Sequence, residues 1–182
     1  MRSAPLKSKT RLNARARKIQ LLVLDVDGIL TDRRIILGSD GNLVKSFDVR
    51  DGFGLVLAHQ AGLKTAIITA EESPVVTHRA KQLKIQWVAQ AALDKGKAFR
   101  RCLAHFRIQP EAVGFIGDDL LDLPILTKVG FSATVPDAPI EVKRHVHYIT
   151  NCHGGRGAVR EIVELILQAQ GHWATIVKRY LE

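Results

Sequence analysis

Short, mostly apolar runs recur along this chain and stop at polar residues. Residues 21–24 (LLVL) end at Asp25, residues 65–68 (TAII) at Thr69, and residues 113–116 (VGFI) at Gly117, Asp118 and Asp119. Runs of this length without polar alternation fit strands buried on both faces of a parallel sheet. A further strand is expected at 131–135, with shorter ones at 86–88 and near Tyr148. Helical patterns lie between them. Ser73 and Pro74 suit the N-cap and first turn of a helix running to Leu83. Others are expected at 95–106 and around 120–128. Residues 157–170 carry Val159, Ile162, Val163, Ile166 and Leu167 at helical spacing, a stripe that faces a core. Two extended runs, 35–37 and 43–47, flank Gly38, Ser39, Asp40 and Gly41, which is the composition of a β-hairpin turn. The segment FDVRDGFG (47–54) then leads into a helix near 55–60, closed by Gly62. Residues 10–18 suit a short helix, 1–9 a loose start and 172–182 a tail with some helical character.

Strands alternating with helices at this spacing predict an α/β fold, a doubly wound, Rossmann-like and mostly parallel sheet with a β-hairpin insertion. Ligands of such sheets sit beyond the carboxyl ends of the strands. The polar residues ending the buried runs therefore gather at one edge: Asp25 and Asp27, then Thr69, then Asp118, Asp119 and Asp122. Asp25 and Asp27 lie two apart on extended backbone, so their carboxylates point the same way, and Gly28 lets the chain turn. Carboxylates packed this closely repel unless a cation or a shared proton intervenes, and an oxygen-loving ion such as Mg²⁺ meets that need. Lys95 opens a helix that reaches the same edge. With Thr69 it supplies the donor and counter-charge that a phosphate wants. Singly, each has an ordinary reading: an acidic turn, a helix cap, a solvated lysine. Together they predict phosphoryl transfer, with Asp25 attacking phosphorus and Asp27 acting as proton donor and then base.

Composition changes this picture little. The 182 residues, 46% hydrophobic and 25% charged, suit one ordinary domain. No apolar run approaches the roughly 20 residues that span a bilayer. The net charge of +9 is concentrated, because seven cations and no acid precede Ile19; removing them leaves +2. Residues 1–18 are thus read as a basic arm, 19–171 as the domain and 172–182 as the tail. An Arg-rich, acid-free start is also the composition of an organellar transit peptide. A nucleic-acid partner would rest on the arm alone, without interleaved aromatics or a recognition motif, and is not expected. Cys102 and Cys152 offer no disulfide framework and fit a reducing, cytoplasmic compartment. The seven histidines match no zinc spacing.

The motifs carry a resemblance. DVDGILTD at 25–32, Thr69, Lys95 and GDDLLDLP at 117–124 resemble the four motifs of haloacid dehalogenase-like phosphatases. With the hairpin, FDVRDGFG and GGRGAVREIVELILQAQG at 154–171, the chain is similar over nearly all of 19–171 to the 3-deoxy-D-manno-octulosonate 8-phosphate phosphatases. That resemblance implies no cap domain and a homotetramer whose neighbouring subunits close each site. The hairpin at 33–47 and the tail after Gly171 are the segments free to reach them. It implies Asp25 as nucleophile and Asp27 as acid/base. Mg²⁺ would be held by Asp25, the Asp27 carbonyl and Asp118, with Asp119 and Asp122 supporting them from behind. Thr69 and Lys95 would hold phosphate. Asp48, Val49, Arg50, Asp51 and Gly52, with Asp27, Lys95 and Arg79, would touch the sugar-acid phosphate.

The chain departs from the pattern at two places. Family members often carry Gly-Arg after the motif threonine, where Ala70 and Glu71 stand here, and an Arg where Val56 stands. A glutamate at position 71 resembles the nine-carbon sugar-acid 9-phosphate phosphatases, so that substrate stays open beside the eight-carbon one. Glu71 is expected to pair with Arg79, about two helical turns on. A receiver-like signalling module also uses Asp, Thr, Lys and Mg²⁺, but it places adjacent acids after the first strand.

Overall fold

The computed structural model of the protein describes residues 6–39, 41 and 43–182. In chain order, α1 (Leu6–Ala16) leads into β1 (Leu21–Leu24), and β2 (Ile36–Leu37) and β3 (Leu43–Val44) form the hairpin. Then come α2 (Val49–Gln60), β4 (Lys64–Ile68), α3 (Pro74–Gln82), β5 (Trp87–Ala89), α4 (Lys95–Phe106) and β6 (Val113–Ile116). The chain closes with α5 (Leu123–Leu126), β7 (Phe131–Thr134), α6 (Ile140–Lys143), β8 (Tyr148–Ile149), α7 (Ala158–Ala169) and α8 (Trp173–Arg179).

Six strands form one sheet in the order β5-β4-β1-β6-β7-β8, and every pairing in it is parallel. The hairpin is a separate antiparallel pair, and no second domain interrupts the described residues. The central strands are buried along their whole length, as their unbroken apolar runs require. Leu24 pairs with both Ile67 and Ile116, so β1 and β6 end level and β4 runs one residue further. From β1 the chain steps one way to β4 and β5, then crosses back to β6 on the other side. Right-handed crossovers put α2 and α4 on opposite faces. The order reverses between β1 and β6, where a crevice opens beyond the strand ends.

Several elements differ from expectation for local reasons. The loose start expected at 1–9 gives way to helix at Leu6; residues 1–5 and Asp40 of the expected turn lie outside the described residues. Ala16 is buried, and Arg15 and Arg17 bond the carbonyls of Gly130 and Ala169, fastening the end of α1 to the domain. The expected helix at 120–128 breaks into a 3₁₀ turn, Leu120–Asp122, and the single turn α5, because Pro124 resets the helix start. Ser73 precedes α3 but its side chain makes no capping bond. FDVRDGFG is not a lead-in: α2 begins at Val49, with Asp48 accepting from the Arg50 N–H at 2.6 Å. Two glycines lower helix propensity there, yet packing demands them. A Cβ on Gly54 would sit 3.2 Å from the Arg160 Cα of α7.

The tail folds back onto its own chain. The Arg160 guanidinium lies 5.4 Å from the ring of Trp173 and 5.6 Å from that of Phe53, and Tyr180 meets Phe53 edge-on at 5.8 Å.

Asp51 joins the two longest helices on this face. Gly157 precedes α7 and offers no side chain to cap it, so Asp51 of α2 does so from outside. Its carboxylate accepts from the N–H groups of Gly157 at 3.2 Å and Arg160 at 2.8 Å. The residue is 1% exposed, and burial pushes its carboxyl up to about 6 in spite of those donors. Asp51→Ala would strand both donors. We expect a stability loss of about 1–3 kcal/mol, measured as a lower urea midpoint at unchanged slope.

Candidate active site

Three strand ends and one helix start deliver the site. Asp25 follows β1 and donates its N–H to the Ile116 carbonyl at 3.0 Å, which holds it beside the end of β6. Thr69 follows β4, and Asp118 follows β6; both are buried. Lys95 is the first residue of α4, where Asp94 caps the helix by accepting from the Lys97 N–H at 2.8 Å. Its side chain turns inward and is 3% exposed.

The charges then order themselves. Lys95 Nζ lies 2.9 Å from Asp25 and 2.6 Å from Asp122. The other oxygen of Asp122 accepts from the N–H groups of Asp118 at 2.9 Å and Asp119 at 3.1 Å. Asp122 is therefore saturated and fixes the loop that presents Asp118. Asp119 is exposed and accepts from the Leu120 N–H at 2.7 Å, closing a capping box with Asp122. Both acids act on the loop rather than on the cavity's centre. Asp25 and Asp118 remain with one cation each: Lys95, and Arg33 at 3.1 Å from Asp118.

Burial, with Asp122 close by, pushes Asp25 up to about 8 although Lys95 pulls it down. Burial likewise raises Asp118 to about 7 against the pull of Arg33. Lys95 is held above its usual value: burial opposes its charge, but Asp25 and Asp122 outweigh that. Carboxyls raised this far mark a place short of positive charge. Oxygens of Asp25, Asp118 and Asp122 lie within 4.8 Å of one another, the only such cluster among the described residues. With Asp122 engaged by Lys95 and two N–H groups, Asp25 and Asp118 are the donors left for an ion. An all-oxygen set of this kind suits a hard divalent cation rather than zinc. Gly28 makes room for it. At its φ of +93° a Cβ would fall 2.0 Å from Asp118 Oδ2.

A cavity of about 330 Å³ brings Asp25, Asp27, Thr69, Glu71, Lys95 and Asp118 together. Asp27 accepts from the Thr31 hydroxyl at 3.3 Å and from Lys45 at 2.5 Å. The same Lys45 ammonium lies 2.5 Å from Glu71. The expected pairing of Glu71 with Arg79 is thus replaced. Arg79 donates to Gln82 at 2.7 Å and stacks over Phe47 at 5.4 Å, and its guanidinium is what a Cβ on Gly52 would strike, at 2.5 Å. Lys45, like the Arg33 that meets Asp118, is a residue that sequence reasoning missed. A lone lysine just past a hairpin strand carries no signal of the loop it will meet.

The segment expected to touch the sugar lies elsewhere. Asp48, Val49 and Arg50 line a neighbouring cavity of about 720 Å³ with Arg156. Asp51 faces α7, Gly52 is buried against Arg79, and Val56 is on the exposed side of α2. Within one chain these residues and the Asp25 cavity are not brought together.

Comparisons with known proteins agree with this geometry. A family model described as haloacid dehalogenase-like hydrolase matches residues 62–162. The 3-deoxy-D-manno-octulosonate 8-phosphate phosphatase KdsC of Escherichia coli K12 is 44% identical over 159 residues, covering 87% of this chain and 84% of its own. The structure of that phosphatase from Moraxella catarrhalis, in complex with magnesium ion, phosphate ion and a KDO molecule, superposes with a TM-score of 0.92. It is 38% identical and covers 94% of this chain and 98% of its own. The cobalt-bound form of the Haemophilus influenzae enzyme gives 0.88 at 35% identity, covering 92% and 99%. The order of strands, the acids that end them and these relatives lead to one assignment: the chain belongs to the 3-deoxy-D-manno-octulosonate 8-phosphate phosphatase family of haloacid dehalogenase-like hydrolases.

Proposed function

We propose that the protein hydrolyses 3-deoxy-D-manno-octulosonate 8-phosphate to the free sugar acid and inorganic phosphate, with Mg²⁺ as its cofactor. The observation that carries this reading is the cavity at the sheet's crevice, where Asp25, Asp27, Thr69, Lys95 and Asp118 converge. Asp25 and Asp118 would hold the ion, joined by the Asp27 carbonyl. When bound, Mg²⁺ offsets negative charge on the transferred group. The chain's own residues do the rest. An oxygen of Asp25 bonds to phosphorus as the bond to the leaving oxygen breaks, and Asp27 gives that oxygen its proton. Asp27, now a carboxylate, takes a proton from water. The water oxygen bonds to phosphorus, and the bond to Asp25 breaks to release phosphate. Lys95 and Thr69 hold the phosphoryl oxygens through both steps.

The protein also works as a homotetramer in the cytoplasm on this reading. The hairpin supports it, since Ile35 and Leu37 are 74% and 67% exposed, an apolar ridge that a lone chain leaves in water. Asp48, Arg50 and Arg79 would then serve the sugar acid where subunits meet. A single species of four chains by light scattering is the expected result; a fully active monomer would remove this part.

Two outcomes test the chemistry. The wild type should release phosphate from the eight-carbon ester only with Mg²⁺. Asp25→Asn should fold normally yet lose at least ~10³-fold in kcat, because an amide does not attack phosphorus. Retention of a tenth of the activity would exclude Asp25 as nucleophile.

The raised carboxyls set the pH dependence of metal binding. Burial pushes Asp25 up to about 8 and Asp118 up to about 7, so at pH 6 both are largely protonated and the ion must displace those protons. Affinity therefore rises with pH through that window. Calorimetric titration with Mg²⁺ should give a dissociation constant at least ~10-fold weaker at pH 6 than at pH 8. A flat profile would mean the ion binds elsewhere.

A further inference from the structure

The residues just before and after Lys45 are at least partly in water, yet its own side chain is 3% exposed. It follows β3 and carries its ammonium off the hairpin to 2.5 Å from both Asp27 and Glu71, two carboxylates that line the active cavity. We propose that Lys45 is the positioning residue for the proton-transferring carboxylate of Asp27, with Glu71 holding Lys45 from its other side. This rests on the phosphatase reading and on the role of Asp27 within it.

The geometry is selective at the level of single atoms. Lys45 and the Thr31 hydroxyl both donate to Asp27 Oδ1, at 2.5 and 3.3 Å. Lys45, with the longer contact from Thr31, holds Oδ1 and leaves Oδ2 to carry the proton towards the leaving oxygen. A free carboxylate would lose part of its effect as an acid, because proton transfer needs the donor within hydrogen-bond reach of a defined atom. Lysine alone holds such a pose poorly, since its flexible stem lets the ammonium move. Glu71 supplies the second anchor. The loop after Thr69, the hairpin and the loop after β1 thereby meet at one ammonium. Lys45 places the acid; it does not itself exchange a proton with the ester.

This role predicts a leaving-group signature. Phenyl phosphate needs a proton on its departing oxygen far more than 4-nitrophenyl phosphate does. In Lys45→Met, kcat/KM for phenyl phosphate should fall at least ~10-fold further than that for 4-nitrophenyl phosphate. Substituted phenyl phosphates in between should fall on a steeper line against leaving-group pKa. Glu71→Gln, which keeps an oxygen for Lys45 but removes the charge, should steepen the line in the same direction by less. Lys45→Arg, whose guanidinium can span both carboxylates, should recover part of the slope. An equal loss across the series would overturn the proposal, since that is the mark of a residue that binds substrate or supports the fold. An unchanged series would overturn it as well. Should Lys45→Met fail to fold, the slope in Glu71→Gln decides the matter alone. Failure of the phosphatase reading is separate: a wild type that hydrolyses no ester in the series with Mg²⁺.

Discussion

The structure turns on a shortage of positive charge at one place. Asp25, Asp118 and Asp122 are buried together at the carboxyl edge of a parallel sheet. The ammonium of Lys95 is shared by two of them, and Arg33 sits on the third. Burying ionised groups is expensive unless they are paired and hydrogen-bonded. Here only Asp122 has its full complement of partners. The fold thus keeps an electrostatic deficit that a divalent ion and a phosphoryl group, arriving with opposite charges, can jointly balance. Strain of this kind belongs to function rather than to stability.

Much of this was legible in the sequence because it depends on short-range rules. An apolar run that stops at an acid gives both the strand and the position of the carboxylate. Parallel strands align their ends, so Asp25, Thr69 and Asp118 had to meet although far apart in the chain. Lys95 was legible because it begins a helix whose start is fixed by Asp94.

What sequence reasoning missed depends on where whole segments dock. Glu71 and Arg79 looked suited to each other by their separation along the chain, but that separation says nothing about direction. Arg79 lies along Phe47 and Gly52, while the hairpin brings Lys45 to Glu71 from a distant part of the sequence. FDVRDGFG is expected from sequence to lead into a helix near 55–60, yet α2 already begins at Val49 and includes both of its glycines. The structure shows those glycines chosen for contact with Arg79 and with α7, a tertiary demand that overrides local preference. Asp51, expected to face the sugar, faces the end of a helix for the same reason.

That helix has a consequence for how the protein comes into being. The bond between Asp51 and the Gly157 N–H joins residues 106 positions apart, and the Gly155 N–H reaches back to the Ile29 carbonyl in the loop after Asp25 at 2.8 Å. A ribosome makes Asp25 well before the residues that form these clasps. For much of its synthesis the chain carries Asp25 on a loop whose closing contacts do not yet exist. Pairings of such long sequence separation are also slow to form. The crevice is therefore framed by chain made long after its acids, and a product truncated before α7 would keep Asp25, Thr69, Lys95 and Asp118 while lacking the contacts that frame them.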